Sequence, residues 1–359
     1  MAQVESPAVP VPALLERLLT TPGPSGQERA AAAVWREAAS SVGEVEGDVL
    51  GSSWLRVPGT GGGPSLAIVG HIDEIGAVVT HAGDDGLAAL RPVGGFDPHV
   101  LLGQRVDVLT REGTLPGVVG AKLRKRRPGE DYKALKHEDL FLDVGASDGD
   151  ELRKLVRNGD GVVWHGPPLQ LRGSRLASRS LDNRLGCYVA LEAARRVAEQ
   201  GGAAGDVVAV AAVQEEVGDY AGSRTTAFAT EPDVALAVDV TDATDIREGD
   251  PDESGSHPLG SGAVLTRGPS LHPGVFELLH GTAEEEGIPF TVEATRGETH
   301  TDADAVYLSR RGVATGLVSL PLRYMHSPVE LVDLGDVEQA VRLIVTFALR
   351  LEPGTSFRS

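Results

Sequence analysis

Cysteine is all but missing from this chain: Cys187 stands alone, so an internal disulfide is excluded, and so is a zinc module built on several thiolates. Such usage fits a reducing, cytoplasmic setting, with Cys187 expected as a buried helix residue. Long apolar runs are missing too. The most apolar stretch, residues 207–213, is far short of the roughly 20 residues that span a bilayer, and reads as one buried strand. Residues 1–19 carry Glu5 and Glu16 with several prolines, and no basic segment leading into an apolar core, so no signal peptide is expected and the protein is expected to be soluble. Positive charge is scarce: 33 Lys and Arg against 52 Asp and Glu leave a net charge of -19 over 359 residues. That surface repels phosphate, which argues against nucleic acid and anionic membrane as partners. The glycine-rich residues 59–63 are not followed by Gly-Lys-Ser/Thr, so no nucleotide is expected there.

What is present has an α/β rhythm. Ser25-Gly26-Gln27-Glu28 has the spacing of a capping box ahead of the alanine-rich residues 29–39, which predicts a helix. Leu66-Ala67-Ile68-Val69 predicts a short strand running into Gly70-His71-Ile72-Asp73-Glu74. From residue 76 to 166 the texture changes to short β-type runs, such as 105–109 and 115–119, separated by glycine turns. Helical spacing then returns in Leu185, Val189, Ala193 and Val197, followed by strands over 206–213 and 234–240. A helix over 273–286, an apolar segment over 315–320 and an amphipathic helix over 335–351 complete the pattern. The alternation predicts an α/β fold with a mostly parallel mixed sheet covered by helices, its functional residues at the carboxyl ends of the strands. At 359 residues the chain has room for more than one domain. Residues 76–166 are expected to form a small β-rich insert within an α/β domain of residues 1–75 and 167–359.

Three apolar strands end in acid or histidine: 66–69 into His71 and Asp73, 207–213 into Glu215 and Glu216, and 234–238 into Asp239. Asp182 at a predicted helix start and His326 after the 315–320 segment join them. Singly, each has an ordinary explanation, and an Asp at a helix start usually caps it. The adjacent Glu215-Glu216 pair is harder to dismiss, because two carboxylates directly after a buried strand need compensating charge. Nitrogen and carboxylate oxygen suit Zn²⁺, Co²⁺ or Mn²⁺. Two ions about 3.5–4 Å apart need a bridging carboxylate, terminal ligands and a separate base, and this set has residues for all three roles.

The motifs that carry these residues resemble those of the M42 family of metallo-aminopeptidases, the glutamyl and tetrahedral aminopeptidases, in the family's order over nearly the whole chain. Gly70-His71-Ile72-Asp73-Glu74-Ile75-Gly76 is similar to the first metal motif, Leu181-Asp182-Asn183-Arg184 to the bridging-aspartate motif, and Val213-Gln214-Glu215-Glu216-Val217-Gly218 to the base-plus-ligand motif. Val238-Asp239-Val240-Thr241 and the block from Pro321 through His326 to Glu330 resemble the last two. The resemblance implies a di-metal aminopeptidase, a hydrolase that trims short peptides from the free N-terminus through a hydroxide bridging two ions, zinc or cobalt first, with manganese also suited. It implies that Asp182 bridges, that His71 and Asp239 complete one site and Glu216 and His326 the other. It further implies that Glu215 is the general base, and that Asp73 orients His71 by a hydrogen bond from behind. It also implies that the insert mediates dimerisation, with dimers assembling into dodecamers as a larger homo-oligomer.

Two departures stand out. Asn183 occupies a position where the family commonly has a second aspartate, which leaves metal affinity and metal choice open. Residues 298–305 lie where the family has a glycine-rich substrate loop, with His300 and Asp304 departing from it; His300, Thr301, Asp302 and Arg323 are the candidate substrate contacts. The rival reading is a related di-metal amidohydrolase acting on N-acyl amino acids, or a carboxypeptidase. Lys122 and Arg124 to Arg127 form a basic run expected to be a solvated loop. His99, His137, His257 and His272 lack a matching carboxylate motif and are expected to be surface or hydrogen-bonded histidines.

Overall fold

The computed structural model describes residues 9–122, 135–247 and 255–357. Its centre is the Val207–Ala212 strand, buried at every residue. Such a run has no polar face because helices cover both sides of it. Eight strands form the sheet, in the spatial order Val45–Gly47, Ser53–Val57, Val207–Ala212, Leu66–His71, Val234–Asp242, Ala314–Leu322, Ala263–Arg267 and Phe290–Ala294. The joins from Val207–Ala212 through Leu66–His71 and Val234–Asp242 to Ala314–Leu322 are parallel. The pairings of Ser53–Val57 with its two neighbours are antiparallel, as is that of Ala314–Leu322 with Ala263–Arg267. This is the expected α/β fold with a mixed, centrally parallel sheet.

Successive residues of these strands feed two different cores, as the alternation of a pleated strand requires. Leu66, Ile68, Val207, Ala209, Leu236 and Val238 pack with the helices Ala13–Thr20, Arg29–Ala39, Leu181–Glu199, Pro273–Glu286 and Leu334–Leu349. Ala67, Val69, Val208, Val210 and Ala235 face the other way, onto Ala227 and Val306 of the helices Ala221–Thr230 and Ala303–Val306. Among the described residues no helix is long and apolar enough to cross a membrane.

Between the strand Leu66–His71 and the helix Leu181–Glu199 the chain builds a closed barrel. Its six strands, in spatial order, are Gly76–Ala82, Ala88–Val93, Leu140–Asp143, Gly113–Ala121, Arg105–Thr110 and Gly161–Trp164, all antiparallel. Closure removes free strand edges, and Val79, Leu90, Val106, Val108, Leu142 and Trp164 fill a core separate from that of the sheet. Lys122 leaves the Gly113–Ala121 strand exposed, whereas Arg124, Lys125, Arg126 and Arg127 lie outside the described residues.

One local expectation is overturned. The helix Arg29–Ala39 forms, but its N-cap is Glu28, and neither Ser25 nor Glu28 caps it through a side chain. Ser25 Oγ instead donates to Asp73, 48 residues on, at 2.7 Å. As a donor the hydroxyl makes a charge-assisted bond to a buried carboxylate, whereas as a cap it would accept from a helix N–H that water can also reach.

Candidate active site

The parallel strands all end at one edge of the sheet, and the polar residues that follow them meet there. His71 is the last residue of its strand, Asp239 lies in the neighbouring one, and Glu215 and Glu216 follow Val207–Ala212. Asp182 comes from the start of the helix that crosses them. Two glycines permit that crossing: a Cβ on Gly70 would lie 2.4 Å from the carbonyl carbon of Gly186, and one on Gly186 would lie 2.4 Å from the carbonyl oxygen of Val238. Helix and strands therefore approach backbone to backbone, which brings Asp182 down onto His71 and Asp239. Ser180, Gln214, Tyr324 and His326 all hold left-handed φ values near 60°. Such conformations are costly for residues other than glycine and persist where surrounding contacts hold them.

Asp182 is the hub. Its Oδ1 lies 3.2 Å from His71 Nε2 and its Oδ2 lies 3.3 Å from His326 Nε2. Asp239 Oδ1 is 4.0 Å from His71 Nε2, and Glu216 Oε2 is 3.4 Å from His326 Nε2. Candidate ligand atoms thus fall into two groups that share Asp182, one with His71 and Asp239 and one with Glu216 and His326, each gathered within 4.8 Å. Glu215 Oε2 stands beside them, 3.7 Å from His71 Nε2.

Behind this layer, Asp73 is fully buried and uses both oxygens. Oδ1 faces His71 Nδ1 at 3.4 Å and accepts the Glu215 N–H at 3.1 Å. Oδ2 accepts the Glu216 N–H at 3.2 Å and the Ser25 hydroxyl. Asp73 therefore orients the His71 ring, whose Nδ1 also lies 3.3 Å from the Asp73 carbonyl oxygen, and its carboxylate holds the backbone that carries both glutamates.

Ionised together, Asp73, Asp182, Glu215, Glu216 and Asp239 would outweigh the charge of His71 and His326. Burial raises the pKa of Glu216 and of Asp239 well above the usual carboxylate range, with the nearby charge of Asp182 adding to it. Burial likewise pushes Glu215 up to about 10. Burial opposes the charged form of His71, but Glu215 and hydrogen bonds to Asp182 and Asp73 outweigh it and raise that pKa. Asp182 stays below the ordinary range despite burial, because His326 and His71 donate to it. Glu216 Oε1 is buried with no hydrogen-bond partner. Oxygen and imidazole donors without thiolate, excess buried negative charge and an orphaned ligand atom all fit divalent cations.

A family model for M42 glutamyl aminopeptidases matches residues 51–343, most of the chain. The chain belongs to the M42 family. The lysyl aminopeptidase of Pyrococcus furiosus is 32% identical over 95% of this chain and 97% of its own length. Among solved structures, the TET aminopeptidase of a marine-sediment Thaumarchaeota archaeon superposes with a TM-score of 0.89 at 33% identity, covering 94% of this chain and 96% of that one. The Pyrococcus horikoshii TET1 peptidase, which can assemble into a tetrahedron or a large octahedral shell, superposes with a TM-score of 0.83 at 30% identity, covering 94% and 98%. As an M42 member the chain is a peptide-hydrolysing aminopeptidase.

The structure brings His71, Asp73, Asp182, Glu215, Glu216, Asp239 and His326 together. The substrate candidates are dispersed around them. Asp302 is buried and accepts from the Ser223 hydroxyl, close enough for its charge to act on Glu215 and Asp239. Thr301 bonds Thr299 and the Ala303 N–H, while exposed His300 leaves its backbone N–H on Asp304. Arg323 makes a two-pronged ion pair with Asp245. Asn183 turns away from the cluster, donating to the Val238 carbonyl at 2.8 Å and accepting the Gly186 N–H at 2.8 Å. His99, His137, His257 and His272 each bond a neighbour, Asp97, the Phe96 carbonyl, Thr291 and the Gly274 N–H respectively. Cys187 is buried, with its thiol on the Gly70 carbonyl and its pKa pushed up by burial.

Sequence reasoning gave no role to Glu330 or Glu74. Glu330, buried, accepts the Asp182 N–H and the His326 N–H, both at 3.1 Å, and so locks the two residues that flank one candidate ion. Glu74 accepts the Gly23 N–H and pairs with buried Arg179 and Arg184. The available signal was an acid inside an already distinctive motif; Asp182, Arg179 and Arg184, the partners that give these acids their roles, are over a hundred residues away in the chain.

Proposed function

We propose that this chain is a two-metal aminopeptidase that releases N-terminal residues from short peptides. The observation that carries this reading is the division of Asp182, one oxygen toward His71 and the other toward His326, each beside one further carboxylate. His71, Asp182 and Asp239 would hold one ion and Asp182, Glu216 and His326 the other, with zinc or cobalt favoured and manganese also suited to the donors. When bound, such a pair activates water and polarises the scissile carbonyl. Glu215 takes a proton from the attacking water and returns it to the leaving amine. Asp73 keeps His71 Nε2 aimed at Asp182, and Glu330 keeps the backbones of Asp182 and His326 in register. Buried carboxylates, Asp302 included, give the cleft a negative field that favours the ammonium of a free N-terminus. His300, Thr301 and Asp302 would border the side chain of that residue.

We also propose the division into a catalytic domain of residues 1–75 and 167–359 and an inserted barrel domain of 76–166. The barrel is the candidate dimerisation face, where Leu102 and Val118 are 40% and 49% exposed, and dodecamers would follow by analogy with TET relatives. Sedimentation of the purified protein tests that arrangement, and a monomer at micromolar concentration refutes it. Activity is tested by stripping metal and assaying aminoacyl p-nitroanilides, free and N-acetylated, with and without Zn²⁺, Co²⁺ or Mn²⁺. Metal-restored cleavage of the free-amine substrates alone supports the reading. Equal cleavage of the acetylated ones overturns it in favour of an acyl-amino-acid hydrolase.

A further inference from the structure

No side chain of the turn Ser25-Gly26-Gln27-Glu28 caps the helix that follows, yet all three of its polar side chains are engaged. Ser25 Oγ donates to Asp73 Oδ2 at 2.7 Å, on the oxygen that also takes the Glu216 N–H. Gln27 reaches the barrel, donating to the Gly159 carbonyl at 2.8 Å and accepting the Gly161 N–H at 3.3 Å. Glu28 is only 5% exposed, and its carboxylate accepts the Gly26 N–H at 2.6 Å. Gln214 is the left-handed residue, φ 60°, immediately before Glu215 and Glu216. The turn is itself stapled to the site loop: Ser25 N–H bonds the Glu74 carbonyl, Glu74 N–H the Gly23 carbonyl, and Gly23 N–H the Glu74 carboxylate.

We propose that Ser25 and Glu28 are positioning residues of the catalytic centre. Asp73 has two oxygens and must satisfy His71, two backbone amides and the Ser25 hydroxyl at once. Without that hydroxyl its carboxylate can rotate off the Glu216 amide, and the turn that aims the base and one metal ligand loosens. Glu28 closes the turn that presents Ser25 by accepting the Gly26 N–H. A displacement of about 1 Å at a catalytic group costs on the order of a hundredfold in rate, so a hydroxyl outside the cluster can govern turnover. The proposal rests on the two-metal reading of this cluster; the spectroscopic arm requires only that the cluster bind cobalt, whereas the activity arm also requires aminopeptidase turnover.

The full-length protein would be loaded with Co²⁺ as wild type, Ser25→Ala, Ser25→Thr and Glu28→Gln. The measurements are the visible cobalt spectrum, cobalt affinity, kcat and KM on free-amine p-nitroanilides, and the thermal midpoint. Ser25→Ala is expected to alter the spectrum, weaken cobalt binding on the order of tenfold, and lower kcat by a similar factor with KM within about twofold. Ser25→Thr, which keeps the hydroxyl, restores the wild-type spectrum and most of kcat. Glu28→Gln lowers kcat less than Ser25→Ala does, because Gln retains an acceptor. A Ser25→Ala protein with wild-type spectrum and kcat, or one whose only change is a lower thermal midpoint, overturns the proposal. A wild type that cleaves no free-amine substrate, combined with a Ser25-dependent cobalt spectrum, sinks the activity reading and leaves the positioning role standing.

Discussion

Replacing Glu74 by alanine should destabilise this protein more than any surface change, and the size follows from its partners. Glu74 Oε1 accepts the Gly23 N–H at 2.8 Å and lies 3.3 Å from Arg184 Nη2, while Oε2 binds Arg179. Arg184 is wholly buried and Arg179 is 5% exposed. Arg184 also donates to the Leu18 and Thr21 carbonyls, but Nε of both arginines has no partner. One acid thus serves two buried guanidiniums, and removing it strands both. Breaking a buried pair from one side costs about 3–5 kcal/mol. At about 2.1 cal/mol/K of unfolding entropy per residue over 359 residues, that corresponds to a Tm lower by about 4–7 °C. Differential scanning calorimetry at fixed protein and metal concentration reads it. A loss under about 1 kcal/mol would mean that water reaches the arginines, and would refute the argument that Glu74 anchors residues 21–25 beneath the site.

Glu215→Gln should lower kcat by about 10²–10⁴-fold while both metals still bind, which metal analysis of the purified variant checks. In Asp73→Asn an amide N–H₂ must face one of the donors that now bond a carboxylate, so metal affinity should fall about 10–100-fold, measured by chelator competition. Metal loading at neutral pH should release protons. Glu216 and Asp239, with raised pKa values, would lose protons on binding metal, and Glu215, pushed up to about 10, would lose its proton to the field of the bound ions. Apparent affinity therefore rises with pH, and calorimetry in buffers of different ionisation enthalpy counts the protons; no buffer dependence would contradict the crowding. Arg323→Ala should leave the preference between acidic and neutral N-terminal residues unchanged, because Asp245 already neutralises Arg323; a shift of tenfold or more in relative kcat/KM would show otherwise.

The strand-end histidine and acids were legible because each belongs to a local pattern, an apolar run followed by polar residues, and because their motifs occur in a recognisable order. The helix Pro273–Glu286 and the barrel strand Arg105–Thr110 likewise follow from periodicity and turn residues nearby. The same local logic misread Ser25-Gly26-Gln27-Glu28. Its spacing suits a capping box, but the partner that the Ser25 hydroxyl takes instead, Asp73, is invisible to a pattern four residues long.

Composition and order by themselves determined the fold class and which side-chain types stand at the strand ends, since burial periodicity and side-chain identity are properties of short segments. Only the tertiary structure decided which oxygen of Asp182 faces which histidine, that Glu330 braces Asp182 from 148 residues away, and that Arg323 is occupied by Asp245, 78 residues distant. Those pairings depend on how closely a helix settles on a sheet. At Gly70 and Gly186 that approach is limited by a single missing Cβ on each side.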